Sequence, residues 1–157
     1  MTTTADSPLS IRRLGPGDID CVRRVNALFA EAFDMPDDYL GKPPGDDYLR
    51  RALAKDTTIV LATLDGDTVV GGLTAYVLEK LEQAYSEIYI YDLAVAETHR
   101  RQGIATALIE EVRRIVAARD THVIFVQADD GDDAPIKLYD KLCVEHEIAH
   151  HFDIAVD

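Results

Sequence analysis

The sequence predicts an α/β protein in which a mixed central sheet is flanked by helices. Strand-like segments rich in β-branched and aromatic residues alternate with amphipathic helical segments, in the order β-α-α-β-β-β-α-β-α-β. The turn Asp65-Gly66-Asp67 joins two of these strands into a hairpin. With 157 residues, 47% of them apolar and 29% charged, the chain is large enough for one stable core. We therefore expect an α/β sandwich rather than a doubly wound sheet.

The first third of the chain is predicted to contain one strand and two helices. Residues 10–14 form a short strand, and Asp18 is the expected N-cap of a helix that runs to about Phe33. Residues 34–46 are rich in proline and glycine, which predicts a loop. A second helix is expected over residues 46–55. The apolar face of the first helix is predicted to hold Ile19, Val22, Leu28, Phe29 and Ala32.

The middle of the chain supplies the hairpin and the predicted central strand. The hairpin strands are expected at residues 57–62 and 68–77, and the central strand at residues 87–95. A helix over about residues 103–118 follows. Its predicted buried residues are Ile104, Ala107, Leu108, Val112 and Ile115.

The last third is predicted to contain a buried strand, an acidic loop, a short helix and a final strand. The buried strand covers residues 123–128, and the short helix runs over about residues 134–142. One or more final strands are expected to reach Ile154. Residues 10–157 are therefore predicted to form a single domain, and residues 1–9 a flexible tail.

The net charge of the chain indicates which classes of partner it can bind. Sixteen Lys and Arg against 29 Asp and Glu give a net charge of −13. Nucleic acids and anionic membranes need a basic face, so the charge argues against both and favours a cationic partner, with simple solubility as the alternative. The chain has no apolar run of 18 residues and no signal-peptide pattern at its start. Cys21 and Cys143 are not in a metal-binding spacing and are predicted to be core or interface residues of a cytosolic protein.

The chain around residue 100 carries the strongest functional pattern. The predicted central strand ends at Val95, and a basic, glycine-containing loop then opens the next helix at residues 100–105. Unpaired backbone N–H groups, the positive end of a helix dipole and two guanidinium groups would point at one small volume. That volume suits a pyrophosphate. For either Arg100 or Arg101, a solvated surface charge is the alternative interpretation.

This loop, Arg-x-x-Gly-x-Ala, resembles the acetyl-CoA loop of the GNAT N-acetyltransferase superfamily. Leu138-Tyr139-x-Lys141-Leu142 is similar to the Leu-Tyr-x-Lys-x-Gly segment on the last helix of that family, although Cys143 stands where the family usually has glycine, which puts the local turn in doubt. Over roughly residues 11–154 the chain further resembles the type I aminoglycoside 3-N-acetyltransferases. The matching segments are residues 86–95, 99–109, 126–129, 131–133 and 151–154.

The resemblance implies an acetyl-CoA site without a metal. Leu93-Ala94-Val95 resembles the bulged strand end that receives the pantetheine arm, and a backbone donor near Val95 is expected to stabilise the oxyanion. Arg100, Arg101 and the start of the helix are expected to bind the pyrophosphate. The predicted acetyl-CoA-binding residues are Leu93, Ala94, Val95, Arg100, Arg101, Gln102, Gly103, Ile104, Ala105 and Thr106.

Two side chains are predicted to transfer protons. The acceptor amine is charged at neutral pH, so a general base is required, and Asp92 is the candidate because Asp is disfavoured inside strands. Glu87, expected on the opposite strand face, is the alternative base or a substrate ligand. Tyr139 is the predicted acid for the departing thiolate, since an ordinary pKa of about 10 keeps it protonated. The purely structural alternatives are a locally satisfied Asp92 and a Tyr139 packed on the core.

The acceptor site is predicted to be acidic, because the acceptor is a polyamine. An acidic loop follows the last buried strand, and residues 34–39 are expected to supply a facing wall through Asp34, Asp37, Asp38 and Tyr39. Helix capping is the alternative role of Asp132 or Asp133, and the loop lacks EF-hand spacing. The predicted substrate-binding residues are Glu87, Tyr91, Asp129, Asp130, Asp132, Asp133 and Asp153. His146, His150 and His151 are expected at the surface or an interface rather than on a metal.

The resemblance therefore predicts a cytoplasmic enzyme that acetylates the 3-amino group of the deoxystreptamine ring in gentamicin-like aminoglycosides and confers resistance. The residues alone indicate only acetyl-CoA and a polycation. The alternatives are a GNAT enzyme acting on another polyamine or a peptide amine, and a non-catalytic module that binds acyl-CoA or polyamine. A third alternative is a homodimer in which the C-terminal strand, with Asp153, completes the site of the neighbouring copy.

Overall fold

A computed structural model describes residues 8–157 and divides into two compact units. The first unit ends at Gln127, and the second spans residues 128–157. Residues 1–7 of the predicted flexible tail lie outside the described residues.

The first unit is built on a five-stranded mixed sheet, as predicted. The strands lie in the order β1-β2-β3-β4-β5; β1 to β4 are antiparallel, and β4 and β5 are parallel. Gly66, with φ of 60°, forms the tight turn of the β2–β3 hairpin. The bounds are β1 Ser10–Arg13, β2 Thr58–Asp65, β3 Thr68–Glu79, β4 Ser86–Val95 and β5 Thr121–Val126.

Helices cover both faces of this sheet. Their bounds are α1 Ile19–Ala32, α2 Pro36–Leu40, α3 Asp46–Ala54 and α4 Ile104–Val116, with a 3₁₀ turn at Glu97–His99. Two adjacent glycines of β3 show which helix packs on which face of the sheet, because neighbouring residues of a strand point to opposite faces. A Cβ atom on Gly72 would meet Val25 of α1, whereas one on Gly71 would meet Ile104 of α4. The helices α1 and α4 therefore pack on opposite faces.

The core on the α1 face joins α1 and α3 to the sheet. It contains Val25 and Phe29 of α1, Leu53 of α3 and Ala62 of β2, all less than 9% exposed. Cys21 belongs to this core, one of the two predicted roles, whereas Cys143 is exposed, which leaves the interface role as the prediction for it. Asp18 occupies the N-cap position of α1, but its carboxylate accepts a hydrogen bond from the Gly15 N–H at 2.7 Å instead of capping the helix.

The predicted loop over residues 34–46 contains a short helix, α2, so that prediction was wrong at Pro36–Leu40. Proline at the first helical position has the backbone φ that a helix needs, and its missing N–H is not required there. Asp37 and Asp38 lie in the first turn, where they interact favourably with the helix dipole.

The buried face of α4 is rotated from the predicted one. Ile109 and Val116 are buried together with Ile104, Leu108 and Val112, while Ile115 is half-buried and Ala107 is exposed. At about 100° per residue, Ala107 lies roughly 140° from the centre of this stripe. The prediction for Ala107 was therefore wrong.

The strand β5 is less buried than predicted, and it ends at Val126 rather than at residue 128. It lies at the edge of the sheet and pairs with β4 alone, which leaves five of its six residues half-buried and His122 exposed.

The second unit consists of α5 (Asp133–Leu142) and an extended segment over residues 143–157. The predicted final strand is absent from residues 143–157, which form no ladder in the structure. Cys143 has φ of −79°, which any residue adopts, so the turn after α5 does not require the glycine that the family usually has there.

Nowhere in residues 8–157 is there a helix with the length and apolar character needed to cross a membrane.

Candidate active site

A β-bulge in β4 determines which way Asp92 points. Ile90 pairs with Ala75 of β3 and Asp92 pairs with Thr74, so Tyr91 is an extra residue between them. The extra residue inverts the alternation of the strand. Asp92 therefore lies on the same face as Glu87 and Tyr89, and the expectation that Glu87 is on the opposite face was wrong. The bulge is also located before the predicted position, because residues 93–95 pair regularly with β3.

The carboxylate of Asp92 is held by two hydroxyl groups. Tyr39 Oη donates to Asp92 Oδ1 at 2.5 Å, and Thr74 Oγ1 donates to Oδ2 at 3.1 Å. Asp92 is half-buried. An ionised carboxylate has about four acceptor sites, so each oxygen keeps capacity for a further donor such as an amine. The site thus presents an oriented carboxylate that can accept a further hydrogen bond from a bound amine.

Tyr39 reaches Asp92 from α2, the helix that the sequence did not predict. Its ring lies 5.8 Å from those of both Phe29 and Phe33, which fixes the side chain at the end of α1. Burial is the main cause that raises the pKa of Tyr39 above its ordinary value, followed by the hydrogen bond to Asp92. The phenol therefore remains a hydrogen-bond donor. Of the predicted facing wall, Tyr39 contacts Asp92, whereas Asp34, Asp37 and Asp38 are exposed.

Three tyrosines surround Asp92 on its face of the sheet. Tyr76 of β3 pairs with Tyr89 of β4, and the ring of Tyr91 meets both in edge-to-face contacts, at 6.1 Å and 5.6 Å. Tyr76 is 43% exposed and Tyr91 is 62% exposed. The sequence prediction included Tyr91 alone. Tyr76 and Tyr89 were missed because their approach depends on the β3–β4 register.

Glu87 lies at the other end of β4, where it pairs with Leu78. Its carboxylate is half-buried and 3.7 Å from the ammonium group of Lys80. Lys80 is shared with Glu82, whose carboxylate lies 3.2 Å from the same ammonium group, and Glu87 is remote from the open end of β4. Asp92 is therefore the better placed of the two predicted bases.

The end of β4 has an open edge beside Asp92. The last residue of β4 that pairs with β5 is Ile90, opposite Val126. Residues 92–95 continue beyond this pair, so their β5-facing edge carries backbone groups that β5 does not pair. Such an edge suits an extended acyl-carrying ligand, as well as the backbone donor that was predicted near Val95.

The basic loop after β4 leads into α4 as predicted. Gly103 has φ of 77°, and Ala107 N–H donates the first helical bond, to Gly103 O at 3.0 Å. The N–H groups of residues 104–106 precede that bond and point out of the helix N-terminus. Arg101, a non-glycine residue with φ of 62°, costs about 1–2 kcal/mol of strain in this conformation. Arg100 and Arg101 have exposed side chains.

Two contacts fix this loop to the sheet. The absence of a side chain at Gly71 lets Ile104, the first residue of α4, approach β3, because an added Cβ would lie 2.8 Å from Ile104 Cγ2. His99 Nε2 lies 2.9 Å from Asp65 Oδ2 and ties the 3₁₀ turn to the hairpin. The start of α4 is thus held beside Val95, which pairs with Gly71.

The remaining predicted residues belong to the second unit. Asp129 and Asp130 are exposed, Asp132 occupies the N-cap position of α5 without a side-chain capping bond, and Asp133 is the first residue of the helix. Tyr139 is half-buried, and burial followed by the charge of Asp132 raises its pKa. Its phenol is therefore protonated at neutral pH, as an acid requires.

Two of the three predicted surface histidines contact a carboxylate, and the third, His150, lies beside the Phe152 ring at 6.4 Å. His146 Nδ1 lies 2.9 Å from Asp140, and His151 Nε2 lies 2.9 Å from Asp153. Within residues 8–157, no three His, Cys, Asp or Glu side chains are grouped so as to hold a metal ion.

Comparison with known proteins identifies the class of this chain. Residues 24–143 match the Acetyltransferase (GNAT) family. The chain therefore belongs to the GNAT acetyltransferases, which use acetyl-CoA and whose fold is the mixed sheet flanked by helices described above. No curated protein matches it by sequence.

Among solved structures, the chain is similar to aminoglycoside acetyltransferases. It is 49% identical to HMB0005, from an uncultured soil metagenomic sample, with a TM-score of 0.91 over 96% of this chain and 99% of that one. It is 31% identical to meta-AAC0020 in complex with sisomicin, also from an uncultured soil metagenomic sample, with a TM-score of 0.88 over 95% and 97%. AAC(6')-Iy in complex with the bisubstrate analog CoA-S-monomethyl-acetylneamine shares the fold, at 15% identity and a TM-score of 0.74 over 96% and 100%.

Proposed function

We propose that this chain transfers an acetyl group from acetyl-CoA to the 3-amino group of the deoxystreptamine ring of gentamicin-like aminoglycosides. The observation that carries the proposal is the Asp92 carboxylate, oriented by Tyr39 and Thr74 beside the open end of β4. The 49% identity to an aminoglycoside acetyltransferase over 96% of the chain supports the class of acceptor.

Asp92 is the proposed general base. It accepts a proton from the acceptor ammonium, and the resulting neutral amine forms a bond to the thioester carbonyl carbon. Tyr39 and Thr74 hold the carboxylate toward the acceptor throughout this step. Glu87, already paired with Lys80, is proposed to contribute to the acidic surface that binds the substrate.

The acyl donor is proposed to bind along residues 93–95 and the start of α4. Arg100, Arg101 and the N–H groups of residues 102–106 suit the pyrophosphate, because charge-assisted and helix N-terminal donors both favour anions. A backbone donor near Val95 is proposed to hold the oxyanion; such a donor typically stabilises a transition state by about 2.7–4 kcal/mol. Tyr139 is proposed to protonate the departing thiolate when the carbon–sulfur bond breaks, and the second proton that the attacking nitrogen loses on forming the amide restores the phenol.

The acceptor is proposed to bind through acidic and aromatic side chains. Several carboxylates attract the cationic substrate, which agrees with the net charge of −13. Acetylation removes one positive charge from the drug, so resistance is the proposed phenotype, and the cytoplasm is the proposed location. The proposed acceptor-binding residues are Glu87, Tyr91, Asp129, Asp130, Asp132, Asp133 and Asp153.

We further propose that residues 10–157 act as one catalytic domain and that the protein is a homodimer. Five apolar side chains of the C-terminal segment are 81–98% exposed, which is typical of a surface that contacts another chain. They are Val144, Ile148, Phe152, Ile154 and Val156. Asp153 lies on the same segment. If it completes the site of the neighbour, mixing Asp92→Asn and Asp153→Asn proteins restores activity, and two inactive variants that stay inactive when mixed contradict this role.

The acceptor class is tested by thiol release from acetyl-CoA. We expect fast release with gentamicin and slow release with spermidine and a lysine-containing peptide, with kanamycin measured beside them. Preference for spermidine or the peptide would assign the chain to GNAT enzymes of another substrate class. Binding of acetyl-CoA without thiol release from any acceptor would indicate a sensing module.

A further inference from the structure

We propose that Tyr76, Tyr89 and Tyr91, here called the tyrosine face, bind a second amino-sugar ring of the acceptor through its ammonium group and its apolar C–H face. This inference rests on the proposed function and goes beyond it, because it assigns acceptor recognition to aromatic rings as well as to carboxylates. It extends the predicted role of Tyr91 to Tyr76 and Tyr89.

The rings of the tyrosine face form one connected surface. Tyr91 meets Tyr76 at 6.1 Å with an interplanar angle of 76°, and it meets Tyr89 at 5.6 Å and 73°. These near-perpendicular contacts leave ring surface directed outward, and Tyr91 is 62% exposed. The surface is thus rigid and accessible, as a platform for a sugar ring must be.

Contacts with β5 and with Gln127 hold the ring of Tyr89 in place. Its ring stacks on Phe125 of β5 at 4.7 Å with an interplanar angle of 10°, and its hydroxyl donates to Gln127 Oε1 at 2.9 Å. Two independent contacts therefore hold the ring of Tyr89, and the rings of Tyr76 and Tyr91 pack against each other. Preorganised aromatic groups lose little conformational freedom when a ligand binds.

The position of the tyrosine face relative to Asp92 suits an acceptor with several amines. The cross-strand pair Tyr76–Tyr89 is next to the pair Thr74–Asp92 on the same face of the sheet. Neighbouring same-face positions along a strand are about 7 Å apart. An amine that contacts Asp92 therefore places the adjoining ring of its substrate over these tyrosines.

The chemistry of the rings favours a cation. An ammonium group within about 6 Å of an aromatic ring is attracted to the negative face of that ring. Burial raises the pKa of Tyr76 and of Tyr89, and the charge of Asp92 contributes in the same direction, so both phenols are neutral at physiological pH. The neutral rings and the neighbouring carboxylate together match an amino sugar, which has a charged amine on an apolar ring.

The test compares variants that lose an aromatic ring of the tyrosine face with variants that keep the ring and lose only its hydroxyl group. Tyr76→Leu and Tyr91→Leu each remove one aromatic ring, whereas Tyr76→Phe and Tyr91→Phe keep it. Each leucine variant is expected to raise KM for gentamicin about tenfold, within the range of one partly desolvated cation–π contact, while KM for acetyl-CoA stays near the wild-type value. The phenylalanine variants are expected to recover most of the loss. Tyr85→Leu is the matched control, because Tyr85 packs instead on His122 at 4.7 Å.

The outcomes separate this inference from the proposed function. Wild-type thiol release with gentamicin, together with an unchanged KM in both leucine variants, overturns the tyrosine face and leaves the proposed function standing. Wild-type protein that does not react with gentamicin overturns both. If a leucine variant changes the oligomeric mass in analytical ultracentrifugation but leaves KM for gentamicin unchanged, the tyrosine face is a contact between two copies. This result also overturns the inference. Circular dichroism confirms that each variant is folded.

Discussion

Replacing Gly71 by alanine tests whether the start of α4 must lie close to the end of β4. The new Cβ would lie 2.8 Å from Ile104 Cγ2, closer than Cβ atoms approach other atoms in real structures, and at a tight 3.0 Å from Thr63 Oγ1. Ile104 and Thr63 are buried, so the strain is relieved only if α4 moves away from the sheet. We therefore expect Gly71→Ala to displace the N–H groups that are proposed to bind the pyrophosphate.

The magnitude follows from the cost of overpacking. One extra methyl group in a packed core destabilises a protein by about 1–3 kcal/mol. At roughly 2–4 °C per kcal/mol for a chain of this size, the melting midpoint should fall by roughly 2–12 °C. A loss of about 1 kcal/mol in pyrophosphate binding corresponds to roughly a fivefold rise in KM for acetyl-CoA.

Gly72→Ala is the matched control. Its Cβ would lie 2.9 Å from Val25 Cγ1 and 3.3 Å from the Phe29 ring, so it overpacks the α1 face by a similar amount. Thermal unfolding and steady-state kinetics at varied acetyl-CoA concentration are measured for both variants. Both should lose stability, and Gly71→Ala alone should raise KM for acetyl-CoA. Equal KM values in the two variants would refute the reasoning that Gly71 positions the start of α4.

Three further predictions concern the acceptor side of the site. Asp92→Asn should lower kcat by about 10²–10⁴-fold with acetyl-CoA binding unchanged in calorimetry, and near-wild-type turnover would exclude Asp92 as the base. Changing Asp129, Asp130, Asp132 and Asp133 together to Asn should raise KM for gentamicin and flatten its dependence on salt, whereas a change confined to melting temperature would mean that these residues only cap and solvate α5. The pKa of Tyr39 is raised in the folded state above its ordinary 10.0, so the stabilising contribution of the neutral phenol is complete below pH 10 and is lost as the pH rises further. The free energy of unfolding of Tyr39→Phe, measured by denaturant titration, should therefore fall less steeply at alkaline pH than that of the wild-type protein. An equally steep fall in both proteins would argue against this linkage.

The features that the sequence predicts well are those with a local cause. The β2–β3 hairpin follows from the turn residues around Gly66, and the start of α4 follows from the left-handed glycine at residue 103. The basic loop and the open strand end beside it are adjacent in the chain. The hairpin, the basic loop and the start of α4 were predicted from a few neighbouring residues and are present in the structure, whereas the bulge expected at residues 93–95 lies at Tyr91.

The features that were missed depend on distant parts of the chain. Tyr39 and Asp92 are 53 residues apart in sequence, so no local pattern reveals their hydrogen bond. The side of the sheet to which Asp92 points depends on one extra residue in the pairing of β4 with β3, and a strict period of two predicts the wrong face for it. The short helix α2 was also missed, although a local signal was present, because proline followed by two acidic residues at positions 36–38 is typical of a helix start.

The C-terminal segment shows the limit of periodicity. Apolar residues at positions 152, 154 and 156 alternate with smaller or charged ones, as in a half-buried strand. A strand also needs a partner for its backbone groups, and residues 143–157 form no ladder in the structure. The alternation thus supports the proposed contact with a second copy, which the mixing experiment tests.

Asp92 is proposed to deprotonate the 3-amino group of an aminoglycoside. NMR of the product formed from gentamicin and ¹³C-acetyl-CoA by the wild-type protein, compared with Asp92→Asn, examines both the acceptor nitrogen and the role of Asp92. We expect one labelled acetyl group, on the nitrogen at position 3, and its near absence with the variant. A label on another nitrogen, or equal labelling by the two proteins, would contradict it.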